Sequence, residues 1–359
     1  MKNKQKLRFG MFLVTIGIVY GDIGTSPMYV MKSILEGNGG LGRVDESFII
    51  GSLSLVIWTI TLLTTIKYVL IAMKADNHGE SGIFSLYSLV KDCGRWLIVP
   101  AMLGGAALLA DGVLTPAVTV TTAVEGLRSI ESMNRFLGPG RWKVVIITLL
   151  IITGLFSVQR AGTSKIGKAF GPVMFLWFSF LGLTGAMHII SLPGVLRAFN
   201  PVYALQVLFS PNNKLGFMIL GSVFPATTGA AAIIASQALI TGSYTLVSEA
   251  ILLDLLPHLE ICYPADTKGQ LYIGAVNSVL WIGCSLVVLY FRSGARMEAA
   301  YGLAITITML MTTLLISVYL HRIRKKSLLA LLVLLIFTAI EGVLQNALLG
   351  LKSQKNISI

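Results

Sequence analysis

Apolar stretches about 20 residues long alternate with short polar loops along nearly the whole chain. The windows fall near Phe9–Ser33, Phe48–Met73, Leu97–Val124, Val144–Val158, Ala169–Ile190, Leu215–Ile240 (with an apolar continuation to Leu256), Leu271–Phe291, Ala299–Tyr319 and Leu328–Leu349. One such run can be a buried core helix, but eight or nine in series cannot share a soluble core. They predict helices crossing a hydrocarbon layer roughly 30 Å thick. Backbone polar groups find no water there, so each span must close its own hydrogen bonds as a helix. The expected fold is an all-α integral membrane protein, a polytopic bundle of about nine transmembrane helices. Residues 1–359 are expected to form a single transmembrane domain with no soluble C-terminal domain.

Composition agrees with this pattern. The 359 residues are 55% hydrophobic and 12% charged, against about 25% charged in a soluble domain. The net charge of +12 does not form a basic stripe interleaved with aromatics, which argues against nucleic acid as a partner. Lys and Arg lie mostly in the loops, where they suit anionic headgroups and the positive-inside bias. Lys2, Lys4, Lys6 and Arg8 precede the first window, and Arg322, Arg324, Lys325 and Lys326 follow the eighth. Nine spans put both groups on one side, predicting a cytoplasmic N-terminus in the plasma membrane. Four basic residues between Arg128 and Lys143 fall on the predicted outer side and discriminate poorly. The first window exceeds a signal-peptide core and lacks a small-residue cleavage site, so it is expected to be retained. Cys93, Cys262 and Cys284 match no metal motif and imply no disulfide, and Cys284 reads as a small buried hydrophobe.

Acids inside the apolar windows are the candidate chemistry, because a charge at mid-span costs at least roughly 2.5 kcal/mol on insertion scales. Asp22 lies in Gly21-Asp22-Ile23-Gly24-Thr25-Ser26-Pro27-Met28-Tyr29. Glycine tolerates unwound backbone and proline removes a donor, so a broken helix here would free carbonyl oxygens beside a carboxylate, as discontinuous transporter helices do. Where the segment is helical, Asp22, Thr25 and Tyr29 share a face. Pairing of Asp22 with a basic residue near a helix end is the alternative. The third window repeats the pattern in Asp111-Gly112-Val113-Leu114-Thr115-Pro116, with Asp111, Thr115 and Thr119 four apart. Hard oxygen ligands of this kind suit an alkali cation, or a proton shared with a carboxylate.

Other residues are open to two readings. Thr228, in Phe224-Pro225-Ala226-Thr227-Thr228-Gly229, suits helix packing or cation ligation. Tyr301 reads as packing with a reach toward a cavity, and Glu341 as a partner for a neighbouring helix or a coupling group. Glu249 reads as snorkelling or pairing near a helix end, and His78 with Glu80 as an interfacial turn. No nucleophile elbow, phosphate-cradling loop or zinc-protease motif is present. The expectation is therefore a non-enzyme with no cofactor or resident metal.

At this point the motifs become specific. Ile18-Val19-Tyr20-Gly21-Asp22-Ile23-Gly24-Thr25-Ser26-Pro27-Met28-Tyr29 resembles the signature of the Kup/HAK/KT potassium uptake permeases. The resemblance continues through Asn77–Gly82, Ala110–Ala117, Gly221–Phe224, Ile233–Ala238 and Ala299–Ala304. It implies a LeuT-like (APC) architecture and proton-coupled potassium import, with Asp22, Tyr29, Asp111 and Thr115 matching cation-site positions. The implied partners are potassium ion, proton and the lipid bilayer, with a homodimer as the assembly considered. Two departures accompany it. The chain stops after the family's eleventh helix. In addition, Gly221–Phe224 resembles the sixth helix while Ile233–Glu249 resembles the eighth, so an intervening segment is missing and Ala231 stands where the family carries a glutamate. The expected function is potassium import as K⁺:H⁺ symport by alternating access. The alternatives are an amino-acid or other small-solute transporter of the same architecture, and a non-transporting, shortened remnant.

Overall fold

The computed structural model describes residues 45–75, 82–129, 131–138, 140–159, 163–209, 232–263 and 271–355. The first window therefore lies outside the described residues, as does most of the sixth before Ala232.

Eleven α-helices are described: α1 (Glu46–Ile60), α2 (Ile83–Val90), α3 (Ile98–Gly126), α4 (Glu131–Leu137), α5 (Trp142–Val158), α6 (Thr163–Ser191), α7 (Pro201–Phe209), α8 (Ala232–Leu252), α9 (Gly274–Phe291), α10 (Gly294–Val318) and α11 (Ser327–Lys355). Among the described residues no strand forms, and the one β-type contact is an antiparallel bridge between Cys262 and Tyr272. All three cysteines are free thiols.

Among the described residues four helical stretches are long and apolar enough to cross a membrane: Glu46–Lys74, Arg95–Gly126, Gly274–Phe291 and Ala300–Ile323. A fifth candidate is bent. Phe178–Ser191 and Pro193–Phe199 meet at 107°, where Leu192 leaves helical geometry at φ −132° and ψ 70°. The proline ring that follows disfavours the helical region for Leu192, so the corner is written at Leu192-Pro193. Trp142–Val158, Leu239–Leu252 and Ser327–Gly342 are shorter apolar helices.

α1 starts where Asp45 accepts the Phe48 amide at 3.0 Å, satisfying an otherwise unpaired first-turn donor. Ser47 donates its hydroxyl to the same carboxylate at 2.6 Å. These two bonds, the Ser47 hydroxyl first, hold the Asp45 carboxyl below its ordinary range. The corner after α6 lies against α1. Ser54 donates to the Asn200 carbonyl at 2.9 Å and the Trp58 indole to the Phe199 carbonyl at 3.0 Å. Arg197 pairs with Glu46 at the exposed end.

α3 is the central element and packs against α10, α8, α9 and α5, with its longest seam along α10. Glycine makes that seam possible. A Cβ on Gly104 would lie 2.9 Å from the Met311 Cβ of α10 and would overlap the Ile83 Cδ1 of α2. The outer surfaces carry the opposite pattern, with Leu150, Leu176, Ile190, Val279 and Tyr290 largely exposed. Such an apolar belt suits lipid and would be costly in water.

Candidate cation site

The site is built on α3. Asp111 sits at the middle of this 29-residue helix and is buried, as are Thr115 and Thr119. Their spacing of four stacks them on one face, and the hydroxyls connect them. Thr115 donates to the Asp111 Oδ1 at 2.6 Å, and Thr119 donates to the Thr115 carbonyl at 2.6 Å. Among the described residues Asp111 has no ion-pair partner.

The third span differs from expectation in one respect: the sequence led us to expect an interruption beside the acid. α3 instead runs unbroken from Ile98 to Gly126 with Pro116 inside it. Pro116 still removes the amide that the Gly112 carbonyl would accept. An oxygen is thus freed in the turn that carries Asp111, without unwinding. Membrane helices tolerate such a proline because the freed backbone group can find another partner. At Gly112 the packing is close, since a Cβ there would overlap the Ser243 Oγ of α8.

Around this ladder, Tyr301 of α10 is buried in a cluster with Leu114, Ala117 and Val118 of α3 and Tyr244 of α8. Tyr244 donates to the Asn277 Oδ1 at 2.6 Å, and the Asn277 amide donates to the Phe156 carbonyl at 3.3 Å. Cys284 is fully buried, and its Sγ lies 3.1 Å from the Val113 carbonyl. The carboxylate of Glu249 lies beside Gly82, just before α2, with Oε2 3.2 Å from a notional Cβ there. Asp22, Thr25, Tyr29, Thr228, His78 and Glu80 lie outside the described residues.

Glu341 belongs to a different cluster, whose partner sequence reasoning missed. It forms an ion pair with Lys67, and both side chains are fully buried. The Thr313 hydroxyl of α10 lies 3.0 Å from each carboxylate oxygen of Glu341. Lys67 also donates to the Met309 carbonyl at 3.0 Å. Its ammonium lies 5.2 Å from the Tyr68 ring centroid and 5.8 Å from that of Phe337. The lysine stands on an unusual stretch, Thr61–Ile71, where α1 continues as a π-helix. The only local signal was a lysine inside the second apolar window, and nothing nearby points from it to Glu341, 274 residues later.

A helical bundle with exposed apolar side chains outside and buried acids within defines the class: an all-α, polytopic membrane protein. The chain belongs to the family of the K+ potassium transporter integral membrane domain, whose model matches residues 9–232 and 230–351. This is a transporter family, not an enzyme family.

Relatives bearing the name "Probable potassium transport system protein Kup" include those of Enterococcus faecalis, 52% identical over 95% of this chain, and Latilactobacillus sakei, 48% identical over 95%. A Clostridium perfringens relative of the same name is 48% identical over 94%. The chain covers 62%, 61% and 62% of those three proteins respectively. No solved structure matches. The alignment with the E. faecalis protein runs over 415 positions, more than the 359 residues of the chain. That relative therefore carries internal sequence absent here. The two family matches meet at residues 230–232, where the motif resembling a sixth helix is followed directly by one resembling an eighth.

Proposed function

We propose that this chain binds potassium ion within the membrane and imports it across the plasma membrane, with a proton as the coupled ion. Alternating access in a LeuT-like architecture, with about nine spans in this shortened chain, would carry the ion past a site formed by Asp22, Thr25 and Tyr29 on the first span and Asp111 and Thr115 on α3. Membership of a potassium transporter family and the names of the relatives support the choice of ion.

One contrast between two buried acids supports the site. Both side chains are buried, and Glu341 is neutralised by a lysine of the chain itself. Asp111 has the Thr115 hydroxyl and, among the described residues, no cationic side chain. A carboxylate in that position favours a mobile cation or a proton. The Thr115 hydroxyl and the carbonyl freed by Pro116 are the oxygen donors that would replace water around a potassium ion. Arg322, Arg324, Lys325 and Lys326 lie at the turn between α10 and α11, which with the basic N-terminal run supports a cytoplasmic N-terminus.

The test is rubidium uptake by a potassium-uptake-deficient bacterial strain expressing the chain. Uptake is expected, and it is expected to be lost in the Asp22→Asn, Asp111→Asn double variant. Undiminished uptake by that variant would refute the site.

A second reading rests on the join at residues 230–232. Loss of internal sequence removes part of a cavity wall, so the chain would bind potassium without completing transport. Potassium binding by the purified chain together with no rubidium uptake in cells would select this reading.

A further inference from the structure

The Lys67 ammonium sits in an arrangement of ligands that would serve a free cation equally well. Its nitrogen lies against the Glu341 carboxylate, 3.0 Å from the Met309 carbonyl, and over the rings of Tyr68 and Phe337. Behind the carboxylate, the Thr313 hydroxyl is 3.0 Å from both oxygens and 2.9 Å from the same Met309 carbonyl. Carboxylate, carbonyl and hydroxyl oxygens are the donors that hard cations take, and ring faces attract cations of any kind. An ammonium group and a potassium ion are close in size and accept the same oxygen shell. Lys67, Thr313 and Glu341 are all fully buried. The lysine is delivered by a π-helical stretch, a geometry that recurs at functional positions.

We infer that the Glu341 carboxylate, held in place by the Thr313 hydroxyl, and the Met309 carbonyl form a second site for a monovalent cation, filled in this chain by the tethered ammonium of Lys67. The tether holds α1, α10 and α11 together as a neutral unit without drawing an ion from solution. Dissolved potassium then acts on the chain through the Asp111 region and not through this cluster. Removing Lys67 opens the site to a free alkali or ammonium ion, because the carboxylate it leaves behind cannot stay charged and unpaired in hydrocarbon.

The experiment is thermal unfolding of the purified full chain in micelles, with potassium chloride exchanged for choline chloride at constant ionic strength. The wild type sets the shift due to any other potassium site. Lys67→Ala is expected to show an additional, saturable rise of several degrees with potassium, rubidium or ammonium, but none with tetramethylammonium, which is too large for the shell. Lys67→Ala with Glu341→Gln is expected to return to the wild-type cation response. A Lys67→Ala response equal to that of the wild type would mean that the carboxylate has taken a proton instead, and would overturn the inference. So would an additional response that persists in the double variant. Where Lys67→Ala is too unstable to isolate in choline, recovery only in potassium or ammonium buffers supports the site. Failure to recover it in every cation overturns it. None of these outcomes depends on transport.

Discussion

Thr115 gives its hydroxyl proton to Asp111 one turn earlier on α3, at 2.6 Å, while Thr119 gives its own to the Thr115 carbonyl at 2.6 Å. The carboxylate is thereby oriented by its own helix before any ion arrives. Thr115→Val keeps the shape and removes the donor, which for a buried acceptor costs about 1–3 kcal/mol. Potassium affinity, measured by calorimetry on the purified chain, is expected to weaken by about tenfold or more. Thr115→Ser restores the hydroxyl and is expected to retain most of the affinity.

The two glycine contacts on α3 should respond unequally to alanine. At Gly112 the obstacle is the Ser243 Oγ, which can rotate away if it gives up its bond to the Leu239 carbonyl at 2.9 Å. That loss is about 0.5–1.5 kcal/mol, and Ser243→Ala should remove most of it. At Gly104 the obstacle includes the Met311 Cβ, which moves only with the α10 backbone. Overpacking of that kind costs about 1–3 kcal/mol or more. Chemical unfolding in micelles should rank Gly104→Ala as the more damaging change.

In choline buffer, where no small cation can replace the lost partner, breaking the Lys67–Glu341 pair from either side strands a charge. Lys67→Met or Glu341→Gln alone is expected to cost about 3–5 kcal/mol of stability, the usual range for an orphaned buried partner. The double variant has no stranded charge and is expected to lose clearly less than the sum. Additive losses in a double-mutant cycle would show that the two side chains act independently.

At the exposed start of α1 the Asp45 carboxyl is held below its ordinary value of 3.8 by the Ser47 hydroxyl and the Phe48 amide. A lowered folded-state value means that the cap contributes fully above the unfolded value and fades as pH falls through the lower folded one. Hydrogen exchange in the first turn of α1 should therefore accelerate, relative to neighbouring helices, only below about pH 4. Asp45→Ala should abolish that step.

The amino-acid sequence reveals some of these relationships and hides others, depending on how far apart the partners lie. Asp111, Thr115 and Thr119 are four apart in an apolar window, so their shared face is dictated by helix geometry, and the structure adds only the hydroxyl bonds. The corner at Leu192 has a local cause in Pro193, although the hydrophobic pattern shows only that the fifth window ends near Ile190. Pro116 misled because its effect depends on what the freed backbone group meets in the tertiary structure. The helix keeps its course and loses one hydrogen bond. Lys67 was hidden for a similar reason. Its partner lies 274 residues away, and its π-helical setting leaves no periodic trace in the sequence. The buried clusters also put Tyr301 beside α3, where local pattern offered only packing against reach.

Glu341 is paired with Lys67, while Asp111 meets no cationic side chain among the described residues, and potassium titration most directly tests the proposal that a mobile cation takes that place. The proteins to compare are the purified wild type and Asp111→Asn, each monodisperse in micelles. Saturable binding by the wild type, weakened at least about tenfold in the variant, a loss of about 1.4 kcal/mol or more, is the predicted result. Equal affinity in the two proteins would contradict it.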